Sequence, residues 1–307
     1  MVKSAGTAEQ RAVPLADLDQ RPAGGDQPQA DLEQRLADLD QRLRGLGSVL
    51  VAFSGGADSA FLLAAAVRAV GADAVVAATA VSPSLPVLEL AAAAREAAVL
   101  GVRHLAPSTR ELTRPEYRAN AGDRCYFCKA ELLDVLGPLA ADAGLAAVAT
   151  GTNADDAVAG FRPGIRAAAE RGAVTPLRDA GLTKADVRAA SRSWGLATWD
   201  KPAAACLASR ISYGVPISPS RLARVDRTEL ALRLALTAAG YPPRDLRVRD
   251  LGPAGARIEV DPELVEVLAA RPDLLATVDG FPAVTVDPRG FRSGSMNELL
   301  TEPERYR

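Results

Sequence analysis

The sequence predicts an α/β fold built on a parallel sheet, and two observations carry that reading. An apolar run beginning at Val49 ends in Ser54-Gly-Gly-Ala-Asp-Ser59 and opens an Ala-rich helix. Short apolar segments then alternate with helical ones as far as Thr150, and such alternation makes a parallel sheet covered on both faces. Ahead of the run, Leu32, Leu36, Leu39, Leu43 and Leu46 recur at steps of four and three, marking an amphipathic helix from Asp31. Two heptads are too few for a coiled coil, so this helix packs on the adjoining domain. After the glycine turn the expected order is helix Ser59–Val70, strand Ala74–Ala80, helix Pro86–Leu100 and a turn from Gly101 into a short strand ending at Ala106. Helix Lys129–Ala143 and strand Leu145–Thr150 complete this part, with Gly151-Thr-Asn-Ala-Asp-Asp156 at the strand's carboxyl end. Thr183 with Asp186 caps a helix running to Trp194, and Gly195 ends it.

Character changes after Lys201–Gly214. A long helix Pro219–Ala239 precedes strands Asp245–Asp250, Ala256–Val260 and Ala283–Asp287, with a helix from Pro262. The chain therefore divides into a flexible tail over residues 1–30, rich in Gln, Asp, Pro and Gly, a nucleotide-type domain over 31–216, and a smaller α+β domain over 217–307.

At 307 residues and 48% hydrophobic content the chain can bury a large core. A formal charge of −2, with acids and bases interspersed, gives no broad basic face for nucleic acid. No apolar stretch approaches the roughly 20 residues of a membrane span, and the N-terminus lacks a signal-peptide layout. The expectation is a cytoplasmic protein with no membrane partner. Three cysteines without an export signal argue for metal or sulfur chemistry over a disulfide framework.

Each residue of the glycine turn has a physical task. A strand feeding such a turn and a helix N-terminus aims backbone N–H groups at a phosphate. Gly55 and Gly56 permit backbone angles that side chains forbid and let a polyphosphate come close. Ser54 and Ser59 add hydroxyl donors, and the carboxylate of Asp58 makes sense beside a Mg²⁺ bridging it to a nucleotide. No lysine follows the glycines, so this is not the phosphate loop of kinases and GTPases. It resembles the pyrophosphate loop of adenylating ATP pyrophosphatases; the bland alternative is a strand-turn-helix with convenient glycines. Asp155 and Asp156 fit either Mg²⁺ or a helix cap, and Trp194 and Trp199 fit packing.

Cys125 and Cys128 stand three apart in Arg124-Cys-Tyr-Phe-Cys-Lys129, and Cys206 lies in Lys201-Pro-Ala-Ala-Ala-Cys-Leu-Ala-Ser-Arg210. Three thiolates can ligate three irons of a [4Fe–4S] cluster and leave the fourth iron open. Structural zinc, with His104 as the fourth ligand, and three independent thiols are the competing readings.

Together these segments closely resemble the LarE family of ATP-dependent sulfur transferases. The resemblance runs from about Leu43 to Met296 and rests on the Ser54–Ser59 turn, Arg124–Lys129, Gly151–Asp156, Arg162-Pro-Gly164, Cys206–Arg210 with Tyr213-Gly214, Arg247-Val-Arg249, Arg257-Ile-Glu259 and Gly290-Phe-Arg-Ser-Gly294. It implies an adenine-nucleotide α-hydrolase-like (PP-loop) domain with ATP and Mg²⁺ at Ser54, Gly55, Gly56, Asp58 and Ser59. The implied reaction adenylates the carboxylates of pyridinium-3,5-dicarboxylate mononucleotide and replaces an oxygen of each by sulfur, a step in building a nickel-pincer nucleotide cofactor. In one branch a lone cysteine at the position of Cys206 surrenders its sulfur. With Cys125, Cys128 and Cys206 all present, this chain resembles the branch that holds a [4Fe–4S] cluster.

The resemblance makes Cys206 the catalytic sulfur position, with Arg210 favouring its thiolate unless Arg210 is merely a surface ion pair. Arg247, Arg249 and Arg292 become the grip on substrate phosphate and carboxylates, because arginine holds planar anions in a bidentate way, and Arg210 and Glu259 join them as implied substrate-binding residues. By default the strand arginines are solvated. Glu259 is an edge charge by default and a metal or substrate contact by resemblance. The implied partners are a small-molecule nucleotide, further copies of the chain in a homo-oligomer, and a downstream nickel-insertion protein. A tRNA thiolation enzyme, an ammonia-using adenylating synthetase and an ATP-sensing module are the rival functions.

Overall fold

The computed structural model describes residues 27–158, 163–202 and 205–300. Arg162, most of the expected tail and the last seven residues lie outside these. The first helix spans Gln27–Leu46, four residues earlier than expected, with Pro28 in its first turn where a missing N–H costs nothing. Its leucines do what their spacing implies: Leu39 and Leu43 are fully buried, and Leu32, Leu36 and Leu46 pack beside them.

Four strands, β1 (Val49–Ala52), β2 (Val75–Ala78), β3 (Arg103–Leu105) and β4 (Val148–Thr150), form a sheet in the order β3-β2-β1-β4. Every pairing is parallel. The two faces of β1 enter separate cores, as its period of two requires. Val49 and Val51 join Phe61, Leu62 and Val187 on one side, while Leu50 meets Leu136 and Ala140 on the other. Helices Ala57–Val70, Val87–Val99 and Lys184–Ser193 supply the first face, and Arg124–Asp142 supplies the second. Thr183 and Asp186 form the expected capping box.

One boundary matters for the site. The helix predicted from Lys129 begins at Arg124, so Cys125 and Cys128 occupy its first two turns. The Cys-x-x-Cys spacing hid a helix start that has no side-chain cap to announce it.

A second sheet contains β5 (Leu246–Asp250), β6 (Ala256–Val260) and β7 (Val284–Val286), with β5 and β6 antiparallel and β6 and β7 parallel. The helix Pro219–Ala238 lays Leu232 and Leu236 on Val248, Ile258 and Val260. Tyr117, Leu207, Ile211, Leu222 and Val225 form a smaller core between the two sheets. Cys206 packs against this joint, and Arg247 and Arg249 line a cavity that adjoins the one beside the glycine turn. Among the described residues, no helix is long and apolar enough to cross a membrane.

Candidate functional site

β1 delivers the chain into the Ser54–Ser59 turn and helix Ala57–Val70 leaves it, as the motif requires. Gly55 sits at φ 69°, a left-handed conformation that only glycine adopts without strain. Ser54 Oγ lies 3.1 Å from Ser59 Oγ, and Ser59 Oγ donates to the Gly56 carbonyl at 3.0 Å. These bonds tie the two ends of the turn together around the helix N-terminus.

The loop forms one wall of a cavity of about 600 Å³. Lys129, Lys184, Arg188, Lys201 and Arg244 line it, against Asp58, Asp156 and Asp245, so its charge favours a polyanion. Gly151, just past the end of β4, lets that strand end approach the start of helix Ala57–Val70. A Cβ there would lie 2.9 Å from Ser59 N and 3.1 Å from the carbonyl carbon of Asp58. Burial raises the Asp58 carboxyl above its ordinary range and the charge of Asp156 adds to this, while Asn153, Lys184 and Arg188 oppose it. Asn153 is fully buried, and its side-chain carbonyl accepts from Asp156 N at 3.0 Å. Its amide nitrogen favours the charged Asp58 from beyond ordinary hydrogen-bond reach. The two adjacent acids thus part company. Asp155 accepts from Lys184 N at 2.8 Å and caps that helix, whereas Asp156 faces the cavity beside Asp58.

A second cavity of about 410 Å³ adjoins the first and shares Lys129, Thr152, Asp156, Ala205, Phe291 and Ser293 with it. Cys125, Arg124, Arg247 and Arg249 lie on its wall. Both strand arginines are buried, contrary to the default of solvated charges, at 7% and 5% exposure. Arg249 pairs with the fully buried Glu259 at 2.6 Å, and Arg257 approaches the other Glu259 oxygen at 3.0 Å. Ser295 Oγ donates to the same carboxylate at 2.9 Å. Glu259 is therefore an interior counter-charge that aims Arg249, not an edge charge. Arg247 donates to the Leu246 carbonyl at 2.7 Å and stacks on Phe291 at 5.1 Å. Burial, with Arg210 and Arg249 nearby, pulls the Arg247 guanidinium down to about 10. Glu229 and Asp245 oppose that shift, so the guanidinium has counter-charges as well as like charges around it.

Arg210 is no surface ion pair. At 4% exposure it holds Glu229 at 2.9 Å and donates to the backbone carbonyls of Ala205 and Cys206, so it fixes the cysteine's backbone instead of contacting the thiol. Arg292 pairs with Glu298 and lines neither cavity. The structure thus brings Arg247 and Arg249 together beside the loop cavity and leaves Arg292 outside.

Of the three cysteines, Cys125 lines this second cavity. Cys128 and Cys206 pack against the same small core. Burial, then the neighbouring charges of Cys206, Glu111 and Cys125, pushes the Cys128 thiol up, with Lys129 opposing. Arg124, 5% exposed, donates to Asn120 Oδ1 at 2.6 Å and the Ala208 carbonyl at 3.0 Å, and its other nitrogen lies 3.9 Å from Cys125 Sγ. Burial pulls Lys129 down while Cys128 and Cys125 hold it up. Gly164 packs closely here, its would-be Cβ 3.4 Å from the Cys125 carbonyl oxygen. His104 is elsewhere, on β3, with Nε2 2.8 Å from Thr79 Oγ1. Among the described residues no three His, Cys, Asp or Glu side chains are set to hold a single metal ion, so His104 does not complete a Cys₃His site.

No sequence signal assigned a role to Lys184, Arg188, Lys201 or Arg244, which finish the loop cavity, because nothing local marks these cations. Gly151 was missed too, although it did carry a signal, since a glycine directly after a buried strand often marks a close backbone approach.

A glycine turn and a cationic cavity at the carboxyl edge of a parallel sheet define an α/β protein of the small-molecule-binding type. No family model matches the chain. It is 42% identical over 262 residues to the Synechocystis protein slr1717, which is named only as uncharacterized, with 84% of this chain and 94% of that protein covered. It is 34% identical over 259 residues to the pyridinium-3,5-bisthiocarboxylic acid mononucleotide synthase of Lactiplantibacillus plantarum, with 83% and 91% covered. The chain belongs to the family of that synthase, the LarE family.

Proposed function

We propose that this chain is an ATP-dependent sulfur transferase that adenylates the carboxylates of pyridinium-3,5-dicarboxylate mononucleotide and converts them to thiocarboxylates. The observation that carries this reading is the confluence of the two cavities: a polyanion-binding loop opens directly onto a wall that carries a thiol and two buried arginines.

The chemistry starts from the poor reactivity of a carboxylate, which cannot expel oxide. The loop's N–H groups and the surrounding lysines hold the β- and γ-phosphates, and Asp58 and Asp156 are the residues that would hold Mg²⁺. Arg247 and Arg249 orient the substrate so that one carboxylate oxygen attacks the α-phosphorus. The bond from α-phosphorus to the bridging oxygen breaks, and pyrophosphate leaves with the electron pair. Sulfur then attacks the acyl carbon and AMP departs. Lys129, on the wall of both cavities, is placed to offset the charge that develops there.

Cys125, Cys128 and Cys206 would hold a [4Fe–4S] cluster, which supplies sulfide at its fourth iron when bound. What supports this is that Cys128 and Cys206 pack against one small core, Cys125 stands three residues before Cys128 on the same helix, and Arg124 and Lys129 beside them can balance negative charge.

The test is the nucleotide product. With ATP and the dicarboxylate nucleotide, the chain should release AMP and pyrophosphate; ADP and phosphate would refute the adenylating mechanism.

A further inference from the structure

The Ser54–Ser59 turn contains no lysine, and helix N–H groups alone leave much of a pyrophosphate's charge unbalanced. Lys201, distant in sequence, comes to that turn in space. Its Nζ donates to the Gly55 carbonyl at 2.9 Å and pairs with Glu89 Oε2 at 2.8 Å. The side chain lines the loop cavity and retains 23% exposure, so it is held but not sealed. Other cations on that wall are committed differently. Lys184 lies 3.2 Å from Asp156 and Arg244 2.7 Å from Asp200, whereas Lys201 bonds the loop backbone itself.

We propose that Lys201 is the cation that grips the β- and γ-phosphates, exchanging the Gly55 carbonyl for phosphate oxygens when nucleotide enters. An ammonium on a flexible stem has three donors, so Lys201 can keep Glu89 while it takes up phosphate. Glu89 holds the lysine in reach of the loop before the nucleotide arrives. This inference rests on the nucleotide-binding half of the proposed function and is independent of sulfur transfer.

Calorimetric titration of the full chain with inorganic pyrophosphate, and separately with AMP, both with Mg²⁺, tests it. Lys201→Ala should weaken pyrophosphate binding about tenfold or more and leave AMP within about twofold. Lys201→Arg should restore most of the loss, and Glu89→Gln, which keeps an oxygen for the lysine but removes the negative charge beside the phosphate, should tighten pyrophosphate binding. Unchanged pyrophosphate affinity in Lys201→Ala would overturn the proposal. So would equal weakening of AMP and pyrophosphate, which marks a deformed loop, weaker binding in Glu89→Gln, or a wild-type chain that binds no pyrophosphate. A wild-type chain that binds pyrophosphate in this Lys201-dependent way yet never thiolates the dicarboxylate nucleotide would refute the sulfur-transfer reading and leave Lys201 in place.

Discussion

Gly151→Ala tests whether the phosphate loop is positioned by the end of β4. The added Cβ would sit 2.9 Å from Ser59 N, against an ordinary contact beginning near 3.4 Å, and the colliding atoms are backbone. Neither side can swing away, so the loop or the strand end must move by roughly half an ångström. Overpacking of this kind costs about 1–3 kcal/mol, and the reduced freedom of the unfolded chain returns about 0.4–1 kcal/mol. The net destabilisation is therefore roughly 1–2 kcal/mol, read from urea denaturation. Because misplacement by 1 Å can cost about 100-fold in rate, a shift of half that size should lower pyrophosphate release about tenfold. Gly45→Ala is the control: its Cβ meets nothing within 4 Å on the first helix, and it should stabilise by up to about 1 kcal/mol without touching activity. Wild-type stability together with wild-type turnover in Gly151→Ala would refute the close approach.

Asp58→Asn should abolish pyrophosphate release yet stabilise the fold at neutral pH. The raised Asp58 carboxyl contributes stability at low pH that is lost as pH rises through its folded pKa, so the variant's advantage should vanish on acidification; a variant less stable at neutral pH would contradict the assignment. Arg247→Ala should weaken the dicarboxylate nucleotide by about 1.5–3 kcal/mol with ATP affinity unchanged, whereas Arg292→Ala, paired with Glu298 outside both cavities, should change neither. Anaerobic reconstitution should load iron on the wild type and fail in each of Cys125→Ala, Cys128→Ala and Cys206→Ala, with His104→Ala unaffected; iron loss in His104→Ala would break the three-thiol assignment.

The parallel sheet was legible because β1, β2 and β4 lie in short apolar runs bounded by turns, and the glycine turn declares itself by context. Strands β5 and β6 were equally plain, down to the bounds of Ala256–Val260. The environment of the charges was not legible. Arg247 and Arg249 on one strand face suggested a cationic surface, but only the pairing of β5 with β6 shows Glu259 across from them and buried. Likewise Arg210 and Cys206, four residues apart, suggested a guanidinium beside a thiolate. The short helical turn Leu207–Arg210 instead directs the arginine to backbone carbonyls and to Glu229, a partner 19 positions on. Arg292 looked like its fellow arginines by type, and only tertiary structure shows that it faces Glu298. The cavity cations come from separate places along the chain, so no local window could assemble them.

The central claim is that a carboxylate activated at the glycine loop receives sulfur at the adjoining thiol-lined cavity. Mass spectrometry of the dicarboxylate nucleotide after anaerobic incubation with the iron-loaded chain, ATP and Mg²⁺ tests it most directly. The predicted result is a product in which oxygen has been replaced by sulfur, formed in step with AMP and absent in Cys206→Ala. An unaltered nucleotide despite AMP release, or thiolation that persists in Cys206→Ala, would contradict it.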